Sequence, residues 1–178
     1  MGNRIVLKAN QLAPNFSLSG DDSQNHCLKD YLGNPLVIFF YPKDLTPGCT
    51  QEACDFTMLS NEFRKLNTQI IGISKDSLAS HARFKSKYSL GLLLLSDPDL
   101  AIHKQYGAFG EKILYGKIST GVIRSTFLIN EQGLIIRSWY KVRVKNHASA
   151  VLDMLIKRPD LQEIKKKNAE GGTRTRTG

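Results

Sequence analysis

The chain has 178 residues, of which 41% are hydrophobic and 23% charged, a composition typical of one globular domain with a sizeable core. No apolar run reaches the roughly 20 residues of a membrane-spanning helix, and the N-terminus lacks a signal-peptide pattern, so we expect a cytoplasmic protein with no membrane partner. Three cysteines are too few for a secreted disulfide scaffold. In a reducing compartment, a cysteine pair is more often catalytic or metal-binding.

The net charge of +9 is concentrated near the C-terminus, where residues 137–178 hold eleven Lys or Arg against four Asp or Glu. A basic tail can attract nucleic acid. No recognition motif or interleaved aromatic residue accompanies these charges, so we interpret them as a solvated tail and expect no nucleic-acid binding. We predict one domain over residues 1–160 and a basic, disordered tail over residues 161–178.

Buried strands alternate with amphipathic helices in the first two thirds of the chain. Continuous apolar runs predict strands at 35–41, at 69–74 and around LLLLSD, as in strands covered on both faces. The predicted helices run from about Pro47 to Leu66, from Ser77 to about Tyr88, and through DLAIHKQYG to Gly107.

Two further apolar runs, VIRSTFLI and LIIRSWYKV, flank NEQG and predict a β-hairpin. A last amphipathic helix is expected over about 146–157. The resulting order, βαβαβα followed by ββα, predicts an α/β fold with a central mixed sheet, helices on both faces and an antiparallel hairpin at one edge.

The segment YPKDLTPGCTQEAC places Cys49 in the first turn of the predicted helix. Thr46 is a good N-cap residue, and Pro47 then occupies the first helical position, which proline favours. Unpaired backbone N–H groups and the positive end of the helix dipole meet there and favour the reactive thiolate of Cys49.

Cys54 lies five residues further along, a spacing that an intact helix cannot bridge with a disulfide. On an ideal helix the two Cα atoms are roughly 8–9 Å apart, whereas a disulfide needs about 4.4–6.8 Å. The sequence leaves open a transient disulfide that forms after the start of the helix unwinds. The spacing is not that of a zinc site and a fourth ligand is missing, so we expect no metal.

The segment FYPKDLTPGCTQEACDF closely resembles the active-site segment of peroxiredoxins, and most of all the bacterioferritin comigratory protein (PrxQ-type) branch. The family pattern P-x-x-x-T-x-x-C matches at Pro42, Thr46 and Cys49, and the branch's resolving cysteine matches Cys54. ISKDSLASHARFKSKYSL, LLSDPD, RSTFLIN and SWYKVRVKNHASAVLDML resemble later parts of the branch in the same order. The resemblance extends roughly from Leu12 to Ile156.

The resemblance implies a thioredoxin-like fold and a thiol peroxidase that needs no metal, haem or flavin. Cys49 would attack hydrogen peroxide or an organic hydroperoxide and become a sulfenic acid. Arg124 would hold the thiolate and polarise the peroxide, with Glu52 holding Arg124. Thr46 and the Cys49 N–H would bind the peroxide oxygens, and Pro42 would shield the sulfenate from water.

Cys54 would then condense with the sulfenic acid, and thioredoxin or a similar dithiol would reduce the disulfide. We expect a monomer. Leu45 departs from the branch, which usually has a polar residue there, and would place an apolar group beside the pocket. Two alternatives stay open: a one-cysteine mechanism resolved by an external thiol, and a binding or chaperone-like protein that uses the basic tail.

Overall fold

A seven-stranded mixed sheet forms the centre of the protein. The structure is a computed structural model, and it describes residues 4–158. A 3-10 helix, Leu28–Tyr31, follows the second strand. The other elements, in chain order, are β1 (Ser17–Gly20), β2 (Asn25–Cys27), β3 (Leu36–Phe40), α1 (Pro47–Met58), α2 (Ser60–Lys65), β4 (Gln69–Ser74), α3 (Leu78–Tyr88), β5 (Leu93–Ser96), α4 (Ala101–Gln105), β6 (Phe109–Leu114), β7 (Lys117–Val122), β8 (Ser125–Ile129), β9 (Ile135–Tyr140) and α5 (His147–Lys157).

The strand order is β2-β1-β5-β4-β3-β8-β9, and β6 pairs with β7 in a separate two-stranded sheet. β3 and β4 are parallel, as are β4 and β5, whereas β8 runs antiparallel to β3 and β9 antiparallel to β8. The predicted α/β fold with a mixed sheet and an antiparallel hairpin at one edge is therefore confirmed.

β3 is apolar at every position because both of its faces are covered. Val37 and Phe39 lie in one core with residues of α1, α3 and α5. Ile38 and Phe40 lie in a second core on the other side of the sheet, with Tyr106 after α4. Both cores hold the central strand rigidly and so fix the loop that leaves it.

The register of β3 decides which segments meet at its carboxyl end. Phe40 pairs with Ile73 of the parallel strand β4 and with Ser125, the first residue of the antiparallel strand β8. The loop after β3, the end of β4 and the residue before β8 therefore share one edge of the sheet. This edge brings Arg124 next to the loop that carries the cysteine motif.

The predicted helix from Pro47 to Leu66 is wrong in one respect, because it is divided at Leu59 into α1 and α2. Leu59 leaves the helical conformation (φ −95°, ψ 1°). The Ser60 hydroxyl donates to the Thr57 carbonyl at 2.7 Å, a local side-chain bond that competes with helix continuation.

No sequence pattern predicted β1, the β6–β7 hairpin or β2 as a defined strand. These segments have mixed polarity, and their pairing partners decide their conformation. The predicted boundary at residue 160 and the tail at 161–178 lie outside the described residues, so this division stays a prediction.

Candidate active site

Cys49 lies in the first turn of α1, as predicted, with its side chain 1% exposed. Thr46 occupies the N-cap position and Pro47 the first helical position. Among residues 4–158 no side chain caps this helix start, so the first-turn N–H groups, which have no intrahelical acceptor, are left without a side-chain partner there. An anionic group at Cys49 therefore faces the positive end of the helix dipole.

Arg124 bridges the cysteine and a buried carboxylate. Its Nη2 donates to Cys49 Sγ at 3.3 Å, and its Nη1 donates to Glu52 Oε1 at 2.7 Å. Although burial opposes it, the nearby Glu52 carboxylate and Cys49 sulfur raise the pKa of the Arg124 guanidinium. The arrangement supplies a fixed cation at the sulfur, next to where a bound peroxide would lie.

Glu52 stands one turn after Cys49 on the same face of α1 and is 1% exposed. Burial raises its pKa to about 7, although Arg124 acts in the opposite direction. Its second carboxylate oxygen, Oε2, has no hydrogen-bond partner among the described residues. One carboxylate oxygen thus orients Arg124 through a hydrogen bond, while the buried carboxylate itself is poorly solvated.

Thr46 occupies the predicted N-cap position, but its hydroxyl does not cap the helix. It donates instead to the Lys43 carbonyl at 2.7 Å. A hydroxyl has one donor and two acceptor lone pairs. With its donor used inside the loop, Thr46 can accept a hydrogen bond from the O–H of a hydroperoxide.

Pro42 and Arg124 line an open groove of about 720 Å³ beside the cysteine. The β6–β7 hairpin contributes the opposite wall, which includes Ile113, Leu114 and Ile118. The groove therefore pairs the active-site arginine with an apolar wall. Leu45 is 40% exposed and is not among its lining side chains, contrary to the expectation that it lies beside the pocket.

Cys54 lies in the same intact helix and is partly buried against the core. Burial and the Asp55 carboxylate raise the pKa of its thiol. The three cysteines are free. Because both Cys49 and Cys54 lie within α1, the helix must open at its start before their sulfurs can bond.

Cys27 is the last residue of β2, at the sheet edge away from β9. It is half-buried, and Asn25 Nδ2 donates to its sulfur at 3.7 Å. Four strand spacings separate β2 from β3, which is about 19 Å across the sheet. Cys27 is thus distant from the cysteine motif.

Two basic residues next to Arg124 were not identified from the sequence. Burial and the positive charge of Arg124 lower the pKa of Lys112, which lies on β6. The same two causes lower the pKa of His147, at the start of α5, to about 4. His147 Nε2 is 2.8 Å from Thr126 Oγ1. Both are far from the motif in sequence, and only tertiary folding brings them to the site.

A buried polar network anchors the loop between β3 and α1. Asp44 accepts hydrogen bonds from Tyr41 at 2.6 Å and from Ser80 at 2.8 Å, and its Oδ2 lies 2.7 Å from His81 Nδ1. The other His81 nitrogen is 2.9 Å from the Leu95 carbonyl. His81 is therefore a buried residue hydrogen-bonded through both ring nitrogens, and it fixes the loop to α3.

Within residues 4–158, no three His, Cys, Asp or Glu side chains are grouped so that they could hold a metal ion. Over the same residues, no helix combines the length and apolarity needed to cross a membrane.

The profile of the AhpC/TSA family matches residues 9–138. A Bcp protein of Helicobacter pylori is 48% identical over 149 residues, which are 84% of this chain and 98% of its own length. Peroxiredoxin Bcp of Bacillus subtilis is 42% identical over 151 residues, covering 85% of this chain and 96% of that protein.

Solved structures show the same relationship. A structure of Xanthomonas campestris bacterioferritin comigratory protein superposes with a TM-score of 0.76 at 38% identity, covering 86% of this chain and 97% of the other. A Xylella fastidiosa PrxQ structure gives a TM-score of 0.78 at 35% identity, with the same coverage. The fold is therefore thioredoxin-like, as the resemblance implied. From its family match and these relatives, the chain belongs to the AhpC/TSA family and, within it, to the Bcp (PrxQ-type) peroxiredoxins, which are thiol-dependent peroxidases.

Proposed function

We propose that Cys49 is the peroxide-reacting cysteine of this thiol peroxidase and that Cys54 resolves it. The observation that carries the proposal is the Arg124 bridge, with the guanidinium 3.3 Å from Cys49 Sγ and 2.7 Å from Glu52 Oε1. A fixed cation at a sulfur in a helix first turn favours the thiolate, which is the nucleophile.

In the first step, the Cys49 thiolate attacks one oxygen of the peroxide and the O–O bond breaks. That oxygen stays on sulfur as a sulfenic acid, and the other leaves with a proton as water or an alcohol. Arg124 and the Cys49 N–H donate to the peroxide oxygens, where negative charge develops. The Thr46 hydroxyl accepts from the peroxide O–H, and Pro42 shields the product from water.

In the second step, the Cys54 thiol attacks the Cys49 sulfenic acid, forming the disulfide and releasing water. The first turn of α1 must unwind for this step. This opening lets the Cys49 sulfur reach the Cys54 thiol, which lies further along the same helix.

Hydrogen peroxide and organic hydroperoxides are the proposed substrates, with thioredoxin or a similar dithiol as the reductant. The apolar wall of the groove supports organic hydroperoxides, and the X. campestris relative has been studied for alkyl peroxide reduction. A monomer, a cytoplasmic location and a single domain over residues 1–160 stay predictions from the sequence.

Mass analysis without reductant, after one equivalent of hydrogen peroxide, tests the cysteine roles. We expect the protein to lose two hydrogens and to yield a Cys49–Cys54 linked peptide. Cys54→Ser should instead gain one oxygen, and Cys49→Ser should not react. Cys27→Ser is the matched control, because this cysteine is remote from the site and the variant should behave as the parent does.

A Cys49→Ser variant with full peroxidase turnover would contradict the proposal. A stable sulfenic acid in the wild type, with Cys54 still open to alkylation, would support the one-cysteine mechanism instead.

A further inference from the structure

The β6–β7 hairpin exposes a cluster of large apolar side chains that no described residue covers. Ile113 is 76% exposed, Leu114 63%, Tyr115 96% and Ile118 68%. We call these four residues the hairpin tip. Isolated apolar residues on a surface are ordinary, but a contiguous group at the end of a projecting element marks an interaction site.

The geometry of the hairpin makes the tip a wedge rather than a flat patch. Within the described part of the chain the two strands pair only with each other, and Ile113 lies opposite Ile118 in the register. Leu114 and Lys117 form the last pair, so Tyr115 and Gly116 make the turn. At the base, Ile123 N–H donates to the Ala108 carbonyl at 2.8 Å, which ties the hairpin to the main body.

Positive charge surrounds the apolar tip. Lys117 lies on the hairpin itself, and Lys141 and Arg143 line the groove at its base. Glu111 is the one acidic residue among the groove-lining side chains. An apolar tip with a basic collar matches the surface of an anionic lipid bilayer, where the tip enters the interface and the collar meets the phosphates.

We propose that the hairpin tip docks this protein on anionic membrane surfaces. This is contact with a surface and needs no membrane-spanning helix, but it departs from the expectation, drawn from the sequence, that the protein has no membrane partner. The groove containing Arg124 lies between the hairpin and the site loop, so a docked protein would hold its peroxide site at the lipid boundary. A second copy fits the tip less well, because a symmetric contact would bring two basic collars together.

Binding of the full chain to vesicles tests the proposal without any peroxide turnover, so the result is independent of the proposed cysteine roles. The probes are phosphatidylcholine vesicles and vesicles with an equal share of phosphatidylglycerol, with binding measured by co-sedimentation. We expect binding to the anionic vesicles that weakens as salt is raised. The double variant Leu114→Ser/Tyr115→Ser should bind at least about tenfold more weakly.

Matched controls separate the tip from general charge and hydrophobicity. Met58→Ser removes an equally exposed apolar side chain (82%) at the end of α1 and should bind within about twofold of the parent. Lys117→Glu should lower binding to anionic vesicles at least about fivefold, whereas Lys29→Glu, beside the distant strand β2, should have a much smaller effect. Thermal unfolding of each variant checks that the fold is intact.

Three results would overturn the proposal. The parent protein could fail to bind anionic vesicles. The double variant could bind as the parent does, which would assign binding to other basic residues such as those at 165–167. The double variant could also keep its vesicle binding but lose self-association or reduction by a dithiol protein. That result would assign the tip to a protein partner.

Discussion

At the scale of single residues, Arg124 interacts with several of the other ionisable groups at the site. It donates to the Cys49 sulfur and to the Glu52 carboxylate. Burial lowers the pKa of Lys112 and His147, and Arg124 lowers both further. The neighbouring basic groups are thus driven towards their neutral forms, while the guanidinium keeps its charge.

Replacing Arg124 with Gln should slow Cys49 oxidation by hydrogen peroxide by about a hundredfold or more, the usual effect of losing a donor aimed at developing charge. Stopped-flow measurement of the second-order rate constant tests this expectation. Arg64→Gln, an exposed arginine of α2, is the control and should leave the rate unchanged. A loss below about threefold would mean that Arg124 does not contact the reacting atoms.

Glu52 should make stability depend on pH between its ordinary pKa of 4.5 and its raised pKa of about 7. In this range the folded protein holds a proton that the unfolded chain releases. The contribution is therefore fully present below about pH 4.5 and is lost as the pH rises through about 7. From pH 4.5 to 7.5, the free energy of unfolding of the parent should fall by about 2–3 kcal/mol relative to Glu52→Gln.

Urea unfolding of the parent and of Glu52→Gln across this pH range gives the two curves. Glu62→Gln, on the exposed face of α2, should follow the parent. If the parent and Glu52→Gln curves run parallel, the raised pKa is refuted.

Leu45 adopts a left-handed backbone conformation, with φ +66°. This conformation costs a residue with a Cβ roughly 1 kcal/mol, and asparagine tolerates it better. Leu45→Asn should therefore raise the free energy of unfolding by about 0.5–1 kcal/mol, as measured by urea denaturation. Leu32→Asn, at a similarly exposed leucine with φ −61°, should give no gain.

At the scale of elements, the proposed mechanism requires α1 to be both a rigid platform and a segment that opens. Its first turn presents Cys49 beside Arg124 while Cys54 stays in the next turn, partly buried. β3 before it is fully buried and paired on both sides, so we expect the proposed motion to be confined to the helix start.

Hydrogen exchange should show this opening. The Thr50 N–H donates to the Thr46 carbonyl at 2.8 Å and belongs to the turn that must unwind. In the disulfide form, amides at 50–53 should exchange about a hundredfold faster than in the reduced form, whereas those of β3 should not change. Oxidised Cys54→Ser, which cannot form the disulfide, should keep the slow rate, and equal rates in the two wild-type forms would contradict the mechanism.

At the scale of the whole molecule, the buried Asp44 network ties the site loop to α3. Tyr41, Ser80 and His81 all bond to one carboxylate, although α3 is more than thirty residues away in sequence. Burial raises the pKa of Asp44, but the hydrogen bonds from His81 and Tyr41 outweigh it, so the pKa is lowered. The network therefore contains a charged carboxylate whose partners compensate for its burial.

Asp44→Ala should lower the free energy of unfolding by about 3–4 kcal/mol, because it leaves several buried partners unpaired. Urea denaturation followed by Trp139 fluorescence measures the change. Asp153→Ala, which removes an exposed carboxylate paired with Lys157, should cost less than about 0.5 kcal/mol. Equal costs for the two variants would show that the network contributes nothing beyond a surface ion pair.

The sequence by itself determined the order of β3, β4, β5, β8 and β9 and of the helices between and after them, because continuous apolar runs and helix-start residues are local signals. It also indicated the Cys49 motif and a spacing to Cys54 that an intact helix cannot close. The break at Leu59, the left-handed Leu45 and the β6–β7 hairpin depended on contacts that no local pattern encodes. Only the tertiary structure placed Arg124 against Cys49, and Lys112 and His147 beside it, since sheet register and packing bring distant segments to one edge.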